Sequence, residues 1–362
     1  MKVTHRWVSS LAFYLLALAA TVQFSACEKE EDPCKDSGNR YSSGIFVVNE
    51  GAFSTGTGTV SFFDRANDTT FHEIFELENC GEQLGNILQS MTIHDGKAYL
   101  VVNNANKIVV VDADNFEKKG EITGLALPRY FLPISNQKAL VSQWGADGLT
   151  GSVAVINLKN LTVEKTVPTG SGAEFMKQVG DLVYIANSGG LGRDSTVAVF
   201  DLGTETVTKK IVVGDNPHSL QVDKNGAIWV IGRGYSDWTD PNLNTPGKLV
   251  RIENDAPVFA LELAGGGIHL LMEPSTGDRL FYLDGAFGGS IVEFEISQTA
   301  LSPAALASGF FYSLGYDSVS DWLLAGDAKD FNSSGEVKAF DLQGVEKKTI
   351  PAGIIPGGFW AE

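Results

Sequence analysis

From about residue 44 onward, apolar residues come in short runs rich in Val, Ile, Phe, Tyr and Thr, separated by Gly, Asn and Asp. That is the pattern of β-strands and tight turns, with few long stretches of helical period. The nearest thing to a helical turn lies at 82–88, interrupted by Gly85. A strand, a polar turn and a second strand recur. Five copies align, at 60–64 before 71–74, 109–112 before 116–119, 153–157 before 163–166, 197–201 before 207–210, and 337–341 before 345–348. Two looser copies stand at 249–252 with 258–263 and at 291–296 with 301–306.

Another strand pair precedes six of these hairpins: 91–93 with 98–102, 130–134 with 139–142, 175–179 with 182–186, 220–222 with 227–231, 268–272 with 280–283, and 310–314 with 322–325. Four strands repeating at about 40 to 50 residues predict an all-β, seven-bladed β-propeller with four-stranded blades. The first unit lacks a strand, since only 44–49 precedes residue 60. The stretch 356–362, with Phe359 and Trp360, is expected to supply it, closing the ring by pairing the C-terminal strand with the N-terminal blade. The propeller is thus expected to span 44–362.

The N-terminus is built differently. Lys2, His5 and Arg6 precede an uncharged, largely apolar stretch from residue 7 to about 24, the layout of a signal peptide over 1–26. It ends on Phe24-Ser25-Ala26-Cys27, which resembles a bacterial lipobox and implies acylation of Cys27. Glu28-Lys29-Glu30-Glu31-Asp32 follows, the start of an acidic tether over 27–43 that resembles an export signal for surface lipoproteins. The expected location is the outer membrane, held by the acyl anchor and exposed at the cell surface. Loss of Lys2 and Arg6 with the leader leaves 25 basic against 44 acidic side chains, a formal charge of −19. Such a chain repels phosphate backbones, so nucleic acid is not expected as a partner. Cys34 and Cys80 are either a disulfide or two thiols; their spacing leaves both open.

The segment Ile211-Val212-Val213-Gly214-Asp215-Asn216-Pro217-His218, followed by Leu220 to Val230, resembles the Val-Gly-x-x-Pro repeat of YncE-like, YVTN-type propellers. The opening Gly44-Ile45-Phe46-Val47-Val48-Asn49-Glu50-Gly51-Ala52-Phe53 resembles a family of surface lipoprotein propellers, a neighbourhood that includes the BtuG-type corrinoid-binding lipoproteins. This resemblance implies a corrinoid such as cobalamin or cobinamide as the ligand and an outer-membrane TonB-dependent transporter as the partner. No corrinoid-specific motif stands in the chain, and a glycan is the second ligand considered.

In a propeller, the starts of the innermost strands and the ends of the second strands ring the channel on one face. Second-strand ends place Asn49, Glu50, Asn103, Trp144, Asn187, Arg233, Asp284 and Asp327 there. Innermost-strand starts place Arg129, Glu174, His218, His269, Tyr312 and Phe359, and the long insertion at 234–247 adds Tyr235 and Trp238 as ring-stacking candidates. The mixture suits a polar ligand needing hydrogen bonds around its rim. Individual Asn and Asp residues at strand ends are equally at home as turn formers.

An alternative reading is a metal-dependent lactonase or lyase with Glu50, Asn103, Asn187 and Asp284 as oxygen donors. The sequence has no nucleophile elbow, no His-Glu-x-x-His and no Cys-x-x-Cys. The expectation is therefore a binding protein, not an enzyme, with no cofactor and no metal. A purely adhesive surface protein is the third class.

Overall fold

The computed structural model describes residues 40–361 except 54, 55 and 303. Cys27, the leader and the acidic run after it lie outside the described residues.

Among the described residues the strands form seven four-stranded antiparallel sheets, one per blade. The innermost strands of blades two to seven are Leu88–His94, Pro128–Pro133, Ala173–Val179, Pro217–Val222, Ile268–Met272 and Ser313–Asp317. Blade one takes its innermost strand from the other end of the chain, Pro356–Ala361, paired antiparallel to Gly44–Asn49 with Phe46 opposite Trp360 and Val47 opposite Phe359. Each innermost strand packs against the next around a closed ring.

The middle strands of blades one to four read as nearly continuous apolar runs because a neighbouring blade covers each face, whereas the third strands of blades five to seven carry Arg251, Glu293 and Lys338. Lys107–Asp112 is buried at its four central positions, as is Thr196–Asp201. The outer strands have water on one side, and Thr162–Pro168 is largely exposed. The repeated Asp or Asn that ends the third strand holds the turn that follows, because its side chain accepts from backbone N–H groups there. Asp64 takes Ala66 at 2.8 Å, Asn157 takes Lys159 at 3.0 Å and Asp201 takes Thr204 at 2.7 Å. This is the Asx-turn chemistry that makes those residues turn formers.

The expected outer strand at 71–74 is cut short. Strand Thr69–Phe71 is followed by a helix, Ile74–Glu78, whose Ile74 and Phe75 are fully buried. Residues 82–88 are not helical. The fourth strand of blade six is Ala307–Phe311, not 301–306, so Tyr312 sits in the link to the next innermost strand. Tyr41, expected in the tether, is fully buried against Phe62, Phe71 and Phe116, and its hydroxyl donates to Glu78 at 2.6 Å. Cys80 is disulfide-bonded; Cys34, the partner weighed for it, lies outside the described residues. No helix among the described residues is long and apolar enough to cross a membrane.

Candidate functional site

The channel residues arise from one repeated backbone feature. In six of the seven innermost strands the pairing register slips at the second residue, which drops out of the ladder alone at Gln89, His218 and Gly357 and together with the next residue at Arg129, Glu174 and His269. Such a bulge re-aims a side chain that would otherwise pack between blades. At His269 the φ of 53° shows the same departure from strand geometry. Tyr312, just before Ser313, completes the ring from blade seven.

Glu174 is the hub. Its carboxylate is fully buried and accepts from Arg129 Nε and Nη2 on Oε1 at 3.0 and 2.8 Å. Its Oε2 accepts from Trp144 Nε1 at 2.7 Å and Ser188 Oγ at 3.1 Å. Arg129 also donates to Gln89 Oε1, and its guanidinium lies 4.2 Å from the Trp144 ring centroid. Burial works against the Arg129 charge, but the Glu174 charge and hydrogen bonds outweigh it and hold its pKa above the usual value. That ion pair is neutral as a unit and its geometry is fixed by its neighbours.

The rest of the mouth is less balanced. Glu50 is bonded to the Tyr312 hydroxyl at 3.1 Å, and burial pushes its carboxyl up to about 7 despite the opposing pull of Arg129. Burial and the Arg233 charge push His269 down to about 4. Burial, with Arg233, His269 and Arg129, holds His218 well below the usual histidine value. Both imidazoles are therefore neutral at physiological pH, with ring centroids 5.0 Å apart. The His269 backbone N–H points at His218 Nδ1, 3.4 Å away. Burial, with Arg129, lowers the pKa of Arg233, whose Nε is buried without a hydrogen-bond partner.

The structure thus brings Glu50, Arg129, Trp144, Glu174, His218, Arg233, His269 and Tyr312 together at one end of the channel. The other expected site residues have different roles. Asn49 joins blade one to blade seven: its amide donates to Thr59 Oγ1 at 3.2 Å and Ser61 Oγ at 3.0 Å, and its Oδ1 accepts from Gly353 N at 2.9 Å. Asn103 ties blade two to the Pro128 carbonyl at 2.9 Å, and Asn187 donates to Thr196 Oγ1 at 2.9 Å. Asp284 and Asp327 accept backbone N–H groups of their own loops, from Ser290 at 2.7 Å and Lys329 at 2.8 Å. The two Asp residues thus behave as the turn formers their type favours, whereas the three Asn amides tie strands together.

Tyr235 lies under the Arg193 guanidinium at 4.6 Å and bonds Asp237 at 3.3 Å, while Trp238 stands 89 % exposed on the same loop. Phe359 is in the ladder opposite Val47, so it packs between blades instead of lining the channel. The bulged residue of that strand is Gly357, where a Cβ would come within 2.5 Å of Glu50 Oε1. Its missing side chain makes room for the carboxylate. Gln89, Tyr130 and Ser188 are not reached from strand ends in the sequence. Gln89 carries a usable signal, because it follows an apolar or proline strand opener just as Arg129, Glu174, His218 and His269 do.

Comparison with known proteins agrees on the architecture. The chain belongs to the family described as a domain of unknown function, DUF5074, which matches residues 43–238. No curated protein matches the chain. Among solved structures it resembles a quinonprotein alcohol dehydrogenase-like protein from Bacteroides thetaiotaomicron, with TM-score 0.63, 16% identity, and 89% of this chain and 78% of that one covered. It also resembles the periplasmic gluconolactonase of Pseudomonas aeruginosa, with TM-score 0.63, 14% identity and coverages of 87% and 98%. A functionally unknown protein from Desulfotomaculum acetoxidans gives TM-score 0.64 and 13% identity, with coverages of 88% and 99%. At these identities the likeness is one of fold.

Proposed function

We propose that this propeller is a binding protein that captures a small polar ligand, carrying an anionic group, at the channel mouth. The observation that supports it is Arg233. The Arg129–Glu174–Trp144 unit is tied together by its own hydrogen bonds, while the neighbouring Arg233 Nε is buried without a partner. Buried polar groups without partners are rare in native proteins, and a ligand oxyanion would satisfy this one. Neutral His218 and His269 would each offer the ligand an N–H donor or a nitrogen acceptor.

A corrinoid is the ligand to test first and a glycan second. Cobalamin offers both a phosphodiester and a rim of amides, whereas cobinamide lacks the phosphodiester. In this reading the chain is a non-catalytic lipoprotein, anchored through Cys27 at the outer-membrane surface, handing its ligand to an outer-membrane transporter. Calorimetry of the purified protein against cobalamin, cobinamide and acidic and neutral glycans tests it. Arg233→Gln is expected to weaken the anionic ligand at least tenfold and to leave a neutral one nearly unchanged. Equal affinity of the variant for every anionic ligand would remove Arg233 from the site.

Glu50 supports a second reading. A carboxyl near 7 lies in the range of an acid–base catalyst, and one similar structure is named a gluconolactonase. Hydrolysis of gluconolactone above background, lost in Glu50→Gln, would favour a lactonase. The metal-dependent form of that reading has weaker support, since Asn103 is tied to a neighbouring strand and Asp284 to its own loop.

A further inference from the structure

The opposite end of the channel carries a second feature, independent of the mouth. Lys177 lies three residues beyond Glu174 on the same innermost strand, Ala173–Val179, which is about 10 Å along a β-strand. It is half-buried and lines a cavity of about 370 Å³ shared by blades four to six, with Gln221, Val222, Met272 and Pro274. That volume is within the range of small-molecule sites.

The other charged groups around this cavity are already satisfied. Lys224 is paired with Asp278 at 2.7 Å. Asp223 accepts from Asn225 N at 2.8 Å, Ala227 N at 3.0 Å and Trp229 Nε1 at 2.9 Å. Glu273 accepts from Ser275 N at 2.9 Å and Thr276 N at 3.1 Å, as well as from both hydroxyls. Lys177 alone among these has no hydrogen bond or acidic partner, and burial lowers its pKa. A clasp from the Lys224 N–H to the Gly277 carbonyl, 2.9 Å, holds the two bordering loops together, so the cavity is preformed.

We infer that this lower opening is a binding site for a small monocarboxylate with an apolar body, its acid group on Lys177 and its body against Val222, Met272 and Pro274. One cation without a partner matches one negative charge. Asp223 and Glu273, bonded only to neutral donors, repel any anion and a dianion about twice as strongly as a monoanion, so the Lys177 contact and the apolar wall favour a singly charged acid. The apolar wall gives a hydrocarbon tail surface to cover, which inorganic anions cannot use.

Butyrate titrated by NMR into the purified protein tests this, beside butyramide and inorganic phosphate, with Lys177→Gln, Lys177→Arg and Arg233→Gln run in parallel. The expected result is saturable butyrate binding that weakens at least tenfold in Lys177→Gln, recovers in part in Lys177→Arg and is unchanged in Arg233→Gln. Thermal melts of the variants should match the wild type, because Lys177 has no ion pair to lose. No saturable butyrate binding, or equal binding by Lys177→Gln, would overturn the site. Phosphate binding as tightly as butyrate would overturn the ligand class. Butyrate binding abolished only by Arg233→Gln would place the acid at the upper mouth, overturning this inference while supporting the upper one.

Discussion

At the scale of single residues the mouth holds two kinds of charge with opposite consequences. Glu174 and Arg129 are a buried pair whose members satisfy each other, so removing one leaves a desolvated charge behind. Glu174→Leu is expected to lower the unfolding free energy by about 3–5 kcal/mol, measured by urea denaturation. Glu50 is the reverse case. Its folded pKa of about 7 exceeds the ordinary 4.5, so the native state holds this proton more tightly than the unfolded chain. The resulting penalty is absent below about pH 4.5, grows between 4.5 and 7, and is complete above 7. Glu50→Gln keeps an acceptor for the Tyr312 hydroxyl and removes the charge. It should raise the melting temperature at pH 8 and leave it unchanged at pH 4; a variant less stable than the wild type at pH 8 would contradict this. Glu76, which burial also pushes up to about 7, adds to the same trend, while His218 and His269, with lowered pKa values, oppose it up to about pH 6.5; the wild-type melting temperature should therefore fall most clearly between about pH 6.5 and 8.

At the scale of elements, two departures from regularity shape the molecule. The bulge at the second residue of the innermost strands converts a packing position into a channel position, repeatedly and at the same height. Blade one replaces most of an outer strand with helix Ile74–Glu78, and Tyr41 and Phe116 fill the space around it. Ring closure rests on the strand Pro356–Ala361, whose loss would expose both the edge of Gly44–Asn49 and the apolar faces of blades one and seven. Deleting residues 356–362 is expected to abolish cooperative unfolding or drive the protein into aggregates, read by calorimetry and size-exclusion chromatography. A monomer with an unchanged melting temperature would show that closure does not depend on this strand.

At the scale of the whole molecule, the proposed acyl anchor on Cys27 would tether the propeller at a membrane surface. The formal charge of −19 expected after loss of the leader would keep such a body away from anionic lipid headgroups, so the anchor would have to supply the membrane attachment. Cys27→Ala is expected to move the protein from the membrane to the soluble fraction. Replacing 28–32 with alanines, with Cys27 kept, should protect the lipoprotein from external protease. Unchanged fractionation of the first variant, or unchanged protease access of the second, would refute the corresponding step.

The architecture is legible in the chain because it depends on local, repeated signals. The middle strands of blades one to four, buried on both faces, read as nearly unbroken apolar runs, and their third strands end on an Asp or Asn that caps the next turn. The C-terminal strand announces itself by the gap it fills in the first unit. Turn chemistry and two-sided burial operate over a few residues, so sequence periodicity records them. What the mouth contains is decided only in three dimensions. Asn103 and Arg129 both stand at strand ends, yet one amide reaches the Pro128 carbonyl while the other side chain meets Glu174 from the next blade. Phe359 and Gly357 are two residues apart, and a one-residue bulge determines which of them faces the channel. The partners of Arg233, Glu50 and Lys177, or their lack, depend on groups tens to hundreds of residues away in the chain. Desolvation and pairing at such positions are properties of the closed ring, and no local pattern encodes them.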